Sequence, residues 1–185
     1  MRILGLSGSL RAASINARLL RATAQLVPIG IDVSIFNGLG DLALFNPDLE
    51  GSRPANVVAF HRAVAEADAV IFASPEYAHG VTGTIKNALD WLVGFEPFAN
   101  KIVAVLNSSP RAHHADDALR ETLRTMAAVI VESASITIPL LGAGLDEPAM
   151  VATPSIAGAI RESLRAIQLA VVSRRDTLTA EFPLG

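Results

Sequence analysis

Apolar positions along this chain fall into short runs, separated by stretches that repeat with a helical period. Arg2–Leu6 predicts a first strand, and Ser14 is placed to cap a helix reaching about Leu26, ahead of Pro28. Ile31–Phe36 predicts a second strand, and the Asp-, Asn-, Gly- and Pro-rich stretch from Asn37 to Arg53 a long loop. Pro54 suits the first turn of a helix with Val57, Phe60 and Val64 inward. Ala69–Ala73 (AVIFA) is apolar without alternation, as in a parallel strand covered on both faces. A helix capped by Thr82 or Thr84 then carries Ile85, Leu89 and Leu92 and stops at Gly94. Ile102–Leu106 (IVAVL) is a fourth strand, followed by a helix with Leu119, Leu123 and Met126 inward. A fifth strand begins at Ala128–Val131, with Ile136–Ile138 as its candidate resumption. Thr153-Pro154 opens a last helix carrying Ile160, Leu164, Ile167 and Val171.

Strand and helix thus alternate five times, and right-handed crossovers make this an α/β fold with one parallel sheet between two helical layers. Five strands favour the flavodoxin-like order 2-1-3-4-5, whose switch point lies between strands 1 and 3. Ligands of such folds bind outside the carboxyl ends of the strands, so the loops after strands 1, 3 and 4 are the ones to read.

Composition narrows the choices. A length of 185 residues suits a single domain, 1–185, and 51% hydrophobic against 18% charged residues implies a large buried core. No apolar run approaches the roughly 18–20 residues of a membrane span. A net charge of −3 without a basic block argues against nucleic acid as a partner. The absence of cysteine excludes thiol nucleophiles, disulfide redox chemistry and cysteine metal sites. The N-terminus enters a strand at once rather than a signal peptide, which predicts a cytoplasmic protein.

After the first strand the chain reads SGSLRAASIN, Ser7–Asn16. Gly8 permits a tight path, Ser9, Ser14 and Asn16 can donate hydrogen bonds, and Arg11 offers a guanidinium fork at a helix N-terminus. Neither the GxxxxGK[ST] of nucleoside triphosphatases nor GxGxxG is present, so a single terminal phosphomonoester fits better. The competing reading is an ordinary Ser-capped turn with an exposed arginine. After the third strand comes SPEYAHGVTGTIKNALDWLVG, Ser74–Gly94. Here Pro75 stiffens the exit, and Glu76-Tyr77-Ala78 can offer main-chain groups to the edge of a flat heterocycle such as an isoalloxazine. Tyr77 and His79 read equally as exposed loop residues, Trp91 as core, Lys86 as a solvated helix residue and His61 as a surface residue.

Together, SGSLRAASIN and SPEYAHGVTGTIKNALDW resemble the NADPH-dependent FMN reductase family, with its GSLRxxSxN and PEYxxGxxGxxKNAxDW segments; DLALFNPDLEG, Asp41–Gly51, resembles the family's loop after strand 2. The likeness is strong over roughly the first 110 residues. It implies that Ser9, Arg11, Ser14, Ile15 and Asn16 hold the FMN phosphate. Pro75, Glu76, Tyr77, Ala78 and Gly80 would cradle the isoalloxazine, with Ser108 beside the ring. It further implies a ping-pong NAD(P)H oxidoreductase passing hydride from NADPH or NADH through FMN to a small-molecule acceptor: a quinone, an azo compound, free flavin or a metal oxyanion. A homodimer or homotetramer follows from the same resemblance, with Ile85–Val93, Phe95 and Phe98 as the expected contact. The chain departs from the family after strand 4, where NSSPRAHHADDAL replaces a glycine-rich loop and makes Arg111 a candidate substrate-pocket residue; His79, which replaces a polar residue found in many relatives, is a second. The adjacent His113 and His114 are not read as metal ligands, because neighbouring side chains diverge and no third ligand is spaced for zinc. A receiver domain would need acidic residues where Ser7 and Ser74 stand, and a low-molecular-weight phosphatase would need a cysteine. A non-catalytic flavin or nucleotide binder, or a reductase that releases FMN as a substrate, uses the same loops.

Overall fold

The computed structural model describes residues 1–11 and 13–181; Ala12, inside the first loop, and residues 182–185 lie outside the described residues. Five parallel strands form the sheet: β1 (Arg2–Ser7), β2 (Asp32–Ile35), β3 (Ala69–Ala73), β6 (Ile102–Val105) and β7 (Val129–Ile130), in the order β2-β1-β3-β6-β7. A two-stranded antiparallel hairpin, β4 (Glu76–Tyr77) with β5 (Gly80–Val81), stands apart. Helices α1 (Ile15–Gln25), α5 (Glu147–Ala152) and α6 (Pro154–Glu181) cover one face; α2 (Ala55–Glu66), α3 (Gly83–Leu92) and α4 (His113–Thr125) cover the other. No helix among the described residues is long and apolar enough to cross a membrane.

The expected order of the five main strands holds, and so does the reading of AVIFA. Every residue of β3 is buried, with Ala69, Ile71 and Ala73 facing the α1–α6 side and Val70 and Phe72 facing α2 and α3. The last helix turns Ile160, Leu164, Ile167 and Val171 to the same core as α1. Thr82 rather than Thr84 caps α3, its hydroxyl accepting from the Ile85 amide at 3.3 Å. The fifth strand is shorter than its apolar run. A 3-10 turn at Glu132–Ala134 leads the chain off the sheet edge, and the Ser135 hydroxyl takes the Val105 amide. Pairing resumes as a single bridge between Asn107 and Thr137.

Three further expectations are corrected. His61 is not at the surface: it is buried, its Nε2 lies 2.8 Å from the Trp91 carbonyl, and its ring stacks on Phe95 at 4.1 Å. Ile85, Leu89, Leu92 and Phe98 pack into the chain's own core, so they are unavailable to a second subunit; Val93 is exposed. The rings of His113 and His114 do not diverge but lie 4.0 Å apart. Among the described residues, nonetheless, no group of three or more potential ligands is arranged to hold a metal.

The KNALDW part of α3 serves the fold. Asn87 accepts from the Phe45 amide at 2.8 Å and donates to the Ala43 carbonyl at 3.0 Å, and the Trp91 indole donates to the same carbonyl at 2.7 Å. One turn apart, the two side chains pin the loop after β2, and Phe45 meets Trp91 edge-on at 5.1 Å. Lys86 pairs with Asp90 on the exposed side.

The β1–β3 seam is the tightest part of the sheet. The Gly8 amide continues the ladder by donating to Ala73 O at 2.9 Å. A Cβ on Gly8 would lie 2.7 Å from Ser74 Cβ and 2.8 Å from Ile85 Cγ1, closer than packed atoms tolerate. Gly8→Ala should therefore cost about 1–3 kcal/mol, read as a lower urea midpoint at unchanged slope. Burial also holds the His61 pKa below its ordinary value, outweighing the raising effect of the Trp91 carbonyl, while the Arg53 charge lowers it further. The unfolded chain then binds the proton more readily, so stability is full above the unfolded histidine value and falls as pH drops toward the folded one. Urea midpoints between pH 8 and 5 should fall less in His61→Asn than in the wild type; equal slopes would remove His61 as a cause.

Candidate functional site

At the carboxyl end of the sheet, β1 passes to α1 on one face and β3 passes to α3 on the other. The chain thus opens a crevice where the sequence places it. A cavity of about 420 Å³ lies there, within the range of small-ligand sites. Of the residues named from the sequence, Ser9, Arg11, Ser14, Ile15, Asn16, Pro75, Glu76, Tyr77, Ser108 and Arg111 line it. Ala78, His79 and Gly80, at the hairpin tip, are not among its lining residues.

The first wall is a helix N-terminus. Ser14 caps α1, its hydroxyl accepting from the Ala17 amide at 3.3 Å, and the Arg18 amide makes the next bond to Ser14 O. The amides of Ile15 and Asn16 precede that bond, and the first turn holds no acidic residue. Before the helix, the Ser9 hydroxyl accepts from the Arg11 amide at 3.4 Å and the Ser7 hydroxyl from the Ser9 amide at 3.4 Å, which folds the loop back on itself. Asn16 is buried, and its Oδ1 has no hydrogen-bond partner among the described residues.

The second wall is the hairpin. Its two-residue tip, Ala78 and His79, has φ of 49° and 59°, the doubly left-handed turn that matches strand twist. Neither residue is glycine or asparagine, so the turn carries strain of order 1–3 kcal/mol per residue. Two contacts from outside hold it. The Glu76 carboxylate accepts from the Ala115 amide in the first turn of α4 at 2.8 Å, and the His79 ring stacks on His114 at 4.3 Å. The Ala115 amide holds the Glu76 carboxyl below its usual range despite some desolvation, and positive charge on His114, His79 and His113 acts in the same direction.

The third wall is the loop after β6. Lacking glycine, it is shaped by its own side chains: Asn107 accepts from the Ser109 amide at 2.9 Å and donates to Ala112 O at 3.2 Å, and Ser109 accepts from the Arg111 amide at 3.3 Å. Ser109, Ala112, Ala13 and Leu141 also line the cavity and were not read from the sequence. Leu141 arrives from far along the chain, its amide bonded to Ser108 O at 3.2 Å, and no local signal announces that contact. The Asx turn at Asn107, by contrast, was legible in NSSPR.

The residues present suit a flat ligand with a terminal phosphate. One part of the cavity lining offers the hydroxyls of Ser9 and Ser14, the first-turn amides of α1 and Arg11, with the Asn16 side chain beside them; Pro75, Tyr77 and Leu141 bound it elsewhere.

Comparison with known proteins agrees. The model of the NADPH-dependent FMN reductase family matches residues 1–140. An NAD(P)H-dependent FMN reductase of Pseudomonas aeruginosa is 36% identical over 112 residues, 59% of this chain and 60% of that protein. An NADPH:quinone oxidoreductase of Arabidopsis thaliana is 44% identical over 97 residues, 49% of this chain and 48% of that protein. These curated relatives are therefore matched over about half to three-fifths of their length. The flavoenzyme NAD(P)H:(acceptor) oxidoreductase FerB of Paracoccus denitrificans superposes with a TM-score of 0.75 at 25% identity, covering 90% of this chain and 97% of that one. With the family model spanning the crevice and all three of its walls up to Leu140, the chain belongs to the NADPH-dependent FMN reductase family.

Proposed function

We propose that the protein is an FMN-dependent NAD(P)H oxidoreductase acting on small, planar electron acceptors such as quinones. The observation that carries this reading is a single cavity that joins the anion-binding turn of α1 to the Pro75–Tyr77 arm. Family membership and the flavoenzyme fold support it.

In this reading Ser9, Ser14, Asn16 and Arg11 hold the FMN phosphate. The hydroxyls and amides supply directional donors, Arg11 the charge, and the α1 dipole a further attraction. The main chain of Pro75–Tyr77 faces the heterocycle. The Glu76 carboxylate, bound to the Ala115 amide, keeps that arm in place. FMN, when bound, supplies the hydride chemistry. The protein needs no nucleophile of its own; it orients the donor and excludes water, with Leu141 and Ala112 as apolar walls. Donor and acceptor use the same open side in turn, which makes the kinetics ping-pong. A homodimer or homotetramer belongs to the same reading. Exposed Leu44, Val58 and Val93, all on the side of the sheet that α2 and α3 cover, support it.

Purified protein should show flavin absorption in the blue that bleaches on anaerobic addition of NADPH and returns with a quinone. Bands that persist would make the protein a binder rather than a reductase. Arg11→Ala removes a charge-assisted contact worth about 1.5–3 kcal/mol, so FMN affinity by fluorescence titration should fall about 10- to 100-fold. An unchanged affinity would take Arg11 out of the phosphate site.

A further inference from the structure

Charge around the cavity is uneven. Two arginines line it: Arg11 beside the first turn of α1, and Arg111 on the loop after β6 with Ser108 and Ser109. Neither guanidinium has an ion-pair partner among the described residues. The one carboxylate in the lining, Glu76, is already bound to the Ala115 amide. An FMN molecule brings one phosphate, and the α1 wall, with its hydroxyls and first-turn amides, is the stronger place for it. Arg111 is then left over, exposed at the rim of the same cavity.

Its surroundings add to that charge. His113 and His114 follow after Ala112, and the strained hairpin tip lays His79 on His114 at 4.3 Å. All three imidazoles lie close enough to act on the Glu76 carboxylate in the cavity wall. Arg111 itself supplies a guanidinium with a planar fork of donors.

We propose that Arg111, close in the chain to the His79–His114–His113 ring cluster, is a second anion subsite that orients the reactant entering over the flavin. The chemistry it selects is a phosphate or sulfonate oxyanion, carried either by the nicotinamide dinucleotide donor or by an anionic acceptor. This rests on the FMN reading above: the first anion must be the flavin's own phosphate. The subsite would hold the tail of an incoming molecule while its planar head meets the open side of the cavity. A bidentate contact with the guanidinium serves that purpose better than a point charge.

The test compares wild type, Arg111→Gln and Arg111→Lys in three measurements. The first is the Kd of FMN for the apoprotein, by fluorescence. The second is the Kd of NADP+ for the flavin-loaded protein, by calorimetry, which needs no turnover. The third is the ratio of kcat/KM for 1,4-naphthoquinone-2-sulfonate to that for neutral 1,4-naphthoquinone. Arg111→Gln should leave the FMN Kd within about twofold and lower either NADP+ affinity or the quinone ratio about tenfold, as expected for loss of one charge-assisted contact. Arg111→Lys should recover part of that loss. Loss in the NADP+ measurement assigns the subsite to the donor; loss only in the quinone ratio assigns it to an anionic acceptor. Unchanged values in both overturn the proposal, and so does an FMN affinity that falls in step, since Arg111 would then belong to the flavin grip. A wild type that binds no flavin defeats the underlying reading instead, and does so without reference to Arg111.

Discussion

Two strands that run side by side and then leave the sheet on opposite faces create the space on which the rest of this molecule depends. The seam between β1 and β3 stays closed through Gly8, whose amide still bonds to Ala73, and the chain parts only beyond it. A side chain at Gly8 would push against Ser74 and Ile85, on the far side of the crevice, and would separate the two walls at their common root. The depth of the cavity and the approach of the α1 amides to the Pro75–Tyr77 arm both follow from that contact.

The second wall illustrates how strain is held in place. A hairpin tip of Ala78 and His79 in left-handed conformation would not persist alone, since a two-stranded hairpin is marginal even with favourable turn residues. Here Glu76 closes an open helix end on α4, and His79 rests on His114 of the same helix. One contact satisfies an amide that α4 cannot pair internally, because Ala112 at its N-cap offers no side-chain acceptor. Arm and helix therefore complete one another, and the loop between β6 and α4 is fixed at both ends.

The family-like motifs divide into two kinds of work. SGSLR and PEY stand at the cavity, whereas Asn87 and Trp91 of KNALDW face away from it and hold the loop after β2 against α3. His61 joins that second group through the Trp91 carbonyl and the Phe95 ring. Its helix, read by itself, gave no warning: a histidine at a helical position can face either way, and the partner that buries it lies thirty residues on.

How much was legible depended on the range over which each feature is decided. Apolar runs and caps are local, so the order of the five main strands, the Ser14 cap and the placement of ten expected residues around one crevice could all be read along the chain. Helix α5 escaped because six residues carry too little periodicity, although Asp146 caps it and Pro148 stands in its first turn. The hairpin escaped because Ala-His carries none of the usual turn chemistry, and its conformation is imposed from α4. The sequence by itself determined which residues are chemically able to hold an anion and a flat ring, since hydroxyl, guanidinium and strand exit are local properties. Only the tertiary structure decided which of them meet: it brought Leu141 and Ser109 in, left Ala78, His79 and Gly80 out of the cavity lining, and buried His61, because those outcomes rest on contacts between distant segments that no local pattern encodes.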